Sequence, residues 1–154
     1  MPEITIDIES PDQPEVIALL EASDAFAAAL YPAESNHMAG IESLMTSDVS
    51  FLVARLDGKI CGCVALIHKE PDWGEIKRMY VDEIARGLKL GKLLLSALED
   101  HARKAKLDWV RLETGIHQPV AIGLYHQAGY VDIPPFGDYL PDPVSVFMEK
   151  RLDQ

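Results

Sequence analysis

Hydrophobic and polar positions along this chain recur with two periods, and the switches between them mark its elements. Residues 3–8, EITIDI, alternate with a period of two and predict a strand. Val16, Leu19, Leu20, Phe26 and Leu30 then recur at helical spacing until Pro32, which predicts a helix. Pro32, Asn36 and Gly40 punctuate the loop YPAESNHMAG, and a short helical piece runs through Leu44. In SFLVARLDGKICGCVALI, two apolar runs flank Asp57-Gly58, a pair suited to the positive φ angles of a tight hairpin turn. WGEIKRMYV reads as a third strand in succession. Leu90, Leu94, Ala97, Leu98, Ala102 and Ala105 mark one face of a long helix. DWVRLET follows as a strand, and PVAIGLYHQAG as a helix with Pro119 near its start and Gly129 at its end. The tail, from Tyr130, reads as two strands around a proline-rich loop.

Strand, helix, three strands, helix, strand, helix, two strands is an α/β order: a largely antiparallel front half with a strand-helix-strand crossover behind it. With 154 residues and 48% hydrophobic content, the chain suits one domain with a substantial core, expected to span residues 1–154. The 25 acidic and 14 basic residues give a net charge of −11, which repels nucleic acid and attracts a cation or an amine. Cys61 and Cys63 are too close in sequence for an unstrained mutual disulfide and lack companion metal ligands, so they read as small strand residues in a reducing compartment. No metal is expected, since His37 and His117 lack ligand spacing. No run is apolar enough to span a membrane, and the acidic amino terminus lacks the features of a signal peptide. A cytoplasmic protein without membrane or nucleic-acid partners is the expectation.

Against this acidic background, ARGLKLGKLL at residues 85–94 stands out. It joins a strand to a helix, carries Gly87 and Gly91, and gathers Arg86, Lys89 and Lys92. A helix amino terminus presents unpaired N–H groups and partial positive charge, which suits a phosphate group. The alternative is an ordinary helix start with solvated lysines. A nucleotide P-loop does not fit, because the glycine spacing is one residue short and Leu93 stands where a metal-binding hydroxyl belongs; a dinucleotide fingerprint lacks its third glycine.

One strand further on, QPVAIGLYHQAGY at residues 118–130 adds a second motif, and from about Phe51 to Leu152 the chain resembles the GNAT superfamily of N-acetyltransferases. The resemblance implies a mixed, mostly antiparallel splayed sheet flanked by helices, with acetyl-CoA as donor. Its pyrophosphate loop maps onto Arg86, Gly87, Leu88, Lys89, Leu90 and Gly91, with Lys92 adjacent and Lys89 replacing a motif glycine. The downstream pattern matches Ala121, Leu124, Tyr125, Gly129 and Tyr130, with Gln118 in place of asparagine. It also implies that pantetheine lies beside Met79, Tyr80 and Val81, where a backbone donor meets the developing oxyanion, and that Tyr125 protonates or hydrogen-bonds the departing thiolate. Within a buried core, that tyrosine would otherwise be plain packing.

The chemistry sets further demands. An amine with a pKa near about 10 is only about one part in a thousand neutral at pH 7, so acyl transfer to it needs a base. Glu75 occupies the position of a glutamate base in some family members; alternatively it is a strand carboxylate paired with Lys77 or Arg78. Period-two alternation places Glu75, Lys77 and Met79 on one face. The resemblance puts the acceptor near Tyr31, Glu34 and His37, with Phe136 and Tyr139 closing the site from the other side and Glu113 ending a strand at the cleft. The favoured reading is transfer to a small-molecule primary amine by direct attack in a ternary complex, without an acyl-enzyme. The others are a protein lysine or N-terminal acetyltransferase, and a CoA-binding module without catalysis. A homodimer is expected because edge strands of such sheets commonly pair between subunits.

Overall fold

The computed structural model describes residues 2–35 and 39–152. Its elements follow the predicted order: β1 (Ile4–Ile8), α1 (Pro14–Leu30), α2 (Ile41–Leu44), β2 (Val49–Leu56), β3 (Lys59–Lys69), β4 (Trp73–Val81), α3 (Leu90–Lys104), β5 (Trp109–Gly115), α4 (Pro119–Gln127), β6 (Val131–Ile133) and β7 (Ser145–Arg151). They form one seven-stranded sheet in the order β1-β2-β3-β4-β5-β7-β6. Every neighbouring pair is antiparallel except β4 and β5, which run parallel because α3 crosses between them.

Local chemistry accounts for the joints. Asp57 and Gly58 have φ of 51° and 84°, the signature of a hairpin turn whose twist matches the strands it connects. Pro119 opens α4, where its missing N–H costs nothing.

Helices cover both faces of the central strands, so those strands are apolar on both sides. Phe51, Val53, Cys63 and Ala65 point toward α1 and pack with Val16, Leu19, Leu20 and Leu44. Leu52, Ala54, Val64 and Leu66 point the other way, against Leu90, Leu94, Leu95 and Leu98 of α3. In α1 the buried stripe runs Val16, Leu19, Leu20, Ser23 and Ala27. Phe26 and Leu30, expected on that face, lie off it: a 3.6-residue period carries the stripe through the small residues instead, and Phe26 stays 41% exposed. Ala105 likewise falls beyond the end of α3.

One contact ties the carboxyl end of α1 to the end of β5. Tyr31 is buried, its ring stacks on His117 with centroids 5.4 Å apart, and its hydroxyl accepts the His117 N–H at 3.0 Å. The phenol lies directly over Gly115, where an added Cβ would sit 1.8 Å from the hydroxyl oxygen. Gly115→Ala is therefore expected to destabilise the fold by about 1–3 kcal/mol through overpacking. Urea unfolding of G115A, Y31A and the double variant checks this: the double variant should recover part of the loss, and purely additive effects would refute the contact.

Candidate active site

The site begins where β4 and β5 part. They pair only from Trp73 opposite Trp109 to Ile76 opposite Leu112. Beyond that point β4 stays with β3 and β5 with β7, leaving a wedge. Within β4 the register to β3 slips: Cys63 faces Tyr80 and Ala65 faces Lys77, so β4 holds one extra residue. Arg78, with φ of 60°, sits in that bulge. Its guanidinium reaches back to α1, with Nη1 2.7 Å from Asp24 Oδ1.

The bulge overturns the expected alternation. Ile76, Met79 and Val81 all pack on the α3 side, while Tyr80 packs on the α1 side. Met79 therefore does not share a face with Glu75 and Lys77, because the extra residue inverts the pleat between them.

At the wide end of the wedge, the chain leaves Val81 through a 3₁₀ turn (Glu83–Ala85) capped by Asp82, whose carboxylate accepts the Ile84 N–H at 3.3 Å. Gly87 has φ of 91° and open space around it. Lys89 has φ of 60°, so this lysine keeps the left-handed backbone that a glycine adopts readily. Leu93 N–H bonds to Lys89 C=O, and the N–H groups of Leu90, Gly91 and Lys92 precede the first helical bond. The first turn of α3 contains no acidic residue, while Lys89, Lys92 and Leu88 are exposed. Gly91 packs close to α4: a Cβ there would lie 3.3 Å from the end of the Leu124 side chain, which would have to shift by a few tenths of an ångström. Arg86 turns toward α1: its guanidinium lies 5.7 Å from the Tyr80 ring centre and 6.0 Å from that of Phe26, and Nε donates to Val81 C=O at 3.3 Å.

The cleft behind this mouth is walled by α1 and its carboxyl cap (Phe26, Ala27, Tyr31), β4 (Lys77 to Tyr80), β5 (Glu113 to Gly115) and α4 with its amino cap (Gln118, Ala121, Tyr125). Tyr125 is 4% exposed, and burial pushes its phenol well above the ordinary value. Its ring meets Tyr130 edge-on at 5.7 Å. Tyr130 in turn donates to the buried carboxylate of Glu99 at 2.9 Å, and Lys150 reaches the same carboxylate at 2.8 Å. Glu113 accepts from Ser145 at 2.8 Å.

Glu75 is buried too, yet it opens into a neighbouring cavity between the end of β3 and residues 136–139. Its Oε2 accepts from Tyr139 at 2.6 Å, and Lys77 Nζ lies 3.6 Å away, bonded to the same phenol. Lys77 lines both spaces and so marks where they meet. Phe136 packs edge-on against Trp73, Tyr139 and Phe147. Of the other residues expected near the acceptor, Glu34 lies in the 3₁₀ turn Ala33–Ser35, and His37 lies outside the described residues. Sequence reasoning placed Thr114 at the cleft beside Glu113 but missed Phe26, which it assigned to the buried face of α1, and Lys77, which it read as a partner of Glu75 rather than as a wall residue.

A wedge between two strands, an exposed turn leading to a helix amino end free of acids, and a cleft between them suit an elongated ligand with an anionic end. Similarity to known proteins gives the class. The model of the Acetyltransferase (GNAT) family matches residues 15–130. An "IAA acetyltransferase" of Azospirillum brasilense is 48% identical over 99% of this chain and 100% of its own length. A solved Klebsiella pneumoniae chain described as an acyl-CoA N-acyltransferase superposes with a TM-score of 0.83 at 41% identity, covering 97% of this chain and 98% of that one. The PaiA N-acetyltransferase of Thermoplasma acidophilum, solved with coenzyme A, shares the fold with a TM-score of 0.75 at 22% identity, covering 97% of this chain and 99% of that one. The chain belongs to the GNAT acetyltransferase family and is an acetyl-CoA-dependent acyltransferase. Among the described residues, no helix is long and apolar enough to cross a membrane.

Two of the buried phenols predict an alkaline limit. Tyr125 and Tyr130 are both held above the ordinary value by burial, with Glu99 adding to the shift at Tyr130. Above about pH 10 the unfolded chain releases these protons and the folded chain keeps them, so stability is intact below that value and falls as pH rises beyond it. Each group contributes a slope of up to about 1.4 kcal/mol per pH unit. Urea midpoints measured from pH 8 to 11 should drop above pH 10, with a shallower fall in Y130F; a flat profile would count against it.

Proposed function

We propose that this enzyme acetylates the primary amine of a small molecule by direct attack in a ternary complex. The observation that carries this reading is the parting of β4 and β5, with α3's amino end at the mouth and Tyr125 within. Acetyl-CoA supplies the acyl group as an activated thioester. Lys89, Lys92 and the first N–H groups of α3 hold its pyrophosphate, with Gly87 leaving room and Arg86 guarding the α1 side of the mouth. Met79, Tyr80 and Val81 offer the β4 backbone edge to its arm, where a preorganised N–H meets charge developing on the carbonyl oxygen. Gln118 and Leu88 complete the binding surface.

Glu75 accepts the proton of the attacking amine, directly or through water, as the new N–C bond forms. Tyr125 donates a hydrogen bond to the sulfur as the C–S bond breaks; burial keeps this phenol protonated throughout the working range. Direct attack is supported by the thiols: burial pushes Cys63 up to about 12 and raises Cys61, so neither is ionised enough to act as a nucleophile. Residues 136–139 line the cavity at Glu75, with Tyr139 bonded to its carboxylate, and this narrowing favours a small acceptor over a protein segment. A net charge of −11 favours a cationic one. The same reading takes the chain as a single-domain cytoplasmic homodimer, supported by its free cysteines and by β1 and β6 at the sheet's outer edges.

Replacing Arg86 and Lys92 by glutamate should weaken acetyl-CoA binding about tenfold or more in calorimetry while the circular dichroism spectrum is unchanged. Unaltered affinity in the folded double variant would remove the phosphate-loop assignment.

A thiol-release screen of amines tests the reaction class, and two variants then separate the ends of the chemistry. Tyr125→Phe should keep acetyl-CoA affinity and lose about ten- to a thousandfold in kcat. Glu75→Gln should lose rate at neutral pH and recover it above about pH 9–10, where the amine arrives neutral. Wild-type turnover in the first variant, or a wild-type pH profile in the second, would reject the corresponding role.

A further inference from the structure

The cavity beside Glu75 has a chemistry of its own, and we propose that it is the acceptor pocket for a monoamine carried on a flat aromatic body. This rests on the amine-transfer reading above and narrows it. The cavity is open to solvent and has a volume of about 520 Å³, room enough for a small ligand. Its walls are rings: Trp73 and Phe136 meet edge-on at 5.6 Å, and Phe136 and Tyr139 at 5.2 Å. Such walls favour another π-system, placed edge-to-face or offset, over an aliphatic chain of equal area. At the inner end sits the buried carboxylate of Glu75, and at the rim the exposed acids Glu70 and Asp138. One ammonium group is therefore drawn in and passed toward Glu75, on the side that adjoins the cleft at Lys77.

The same lining argues against neighbouring classes of amine. Lys69 and Lys77 both face the cavity, so a polyamine would set a second cation against them. Lys77 is already engaged with Glu75 and the Tyr139 phenol, which leaves it committed rather than waiting for a carboxylate. An aromatic amino acid would also bring its carboxylate beside Glu75. An arylalkylamine meets neither objection.

The test compares 2-phenylethylamine, hexylamine, spermidine and phenylalanine as acceptors, with thiol release as readout. The expected order puts kcat/KM for 2-phenylethylamine about three- to tenfold above hexylamine and about tenfold or more above spermidine and phenylalanine. Phe136→Leu, which keeps apolar bulk and removes the ring, should bring the phenylethylamine-to-hexylamine ratio close to one. A ratio unchanged in this folded variant, or a preference for spermidine or phenylalanine, overturns the proposal. Binding is read separately: Trp73 and Trp109 are the two tryptophans, so in Trp109→Phe the fluorescence reports Trp73 alone. Saturable quenching by 2-phenylethylamine without thiol release from any amine would sink the transfer reading and leave the pocket standing. Acetylation of amines without aromatic preference or quenching would do the reverse.

Discussion

Everything at this site depends on a parallel strand pair that is abandoned after four residues on each side. β4 and β5 are held together from Trp73 to Ile76, and then each is claimed by its outer neighbour. The antiparallel ladders on either flank keep both strands in the sheet, while the backbone groups that β4 and β5 turn toward each other lose that partner beyond Ile76 and Leu112. The half-buried inner edge of β4 beyond Ile76 faces the cleft. The bulge at Arg78 then re-aims the strand just where it passes the cleft, and the ion pair with Asp24 anchors that bend to α1.

Burying charge at the edge of such an opening requires partners. Glu99 and Glu75 are each buried, and each is met by a tyrosine and a lysine. The parallel construction serves different ends. Around Glu99 the group joins α3, β7 and Tyr130, and through Tyr130 it braces the ring of Tyr125. Around Glu75 it lies at the boundary between two cavities. A buried carboxylate without such donors would cost several kcal/mol and instead take up a proton.

The order of the elements was legible because periodicity and turn residues are local signals, and the Asp57-Gly58 turn and the α3 stripe needed no tertiary information. The loop at residues 86–91 was legible for the same reason, since its glycines and cations are contiguous. What escaped was non-local. Arginine carries no propensity that announces a positive φ, so Arg78 hid the inversion that separates Met79 from Glu75. Tyr139 and Glu75 stand 64 residues apart, and nothing in either neighbourhood signals their hydrogen bond. Lys89 looked like a defect in a glycine motif, yet its backbone holds the left-handed conformation that the glycine would have taken.

The joint between Tyr31 and His117 spans 86 residues of chain. Closing so long a loop is entropically slower than zipping the β2-β3-β4 meander, whose turns are short. The cleft's far wall is accordingly expected to close after the meander and the crossover have found their register. A nascent chain would therefore display a formed hairpin sheet well before it could grip a donor, and catalytic competence in this enzyme becomes a report on the completion of folding.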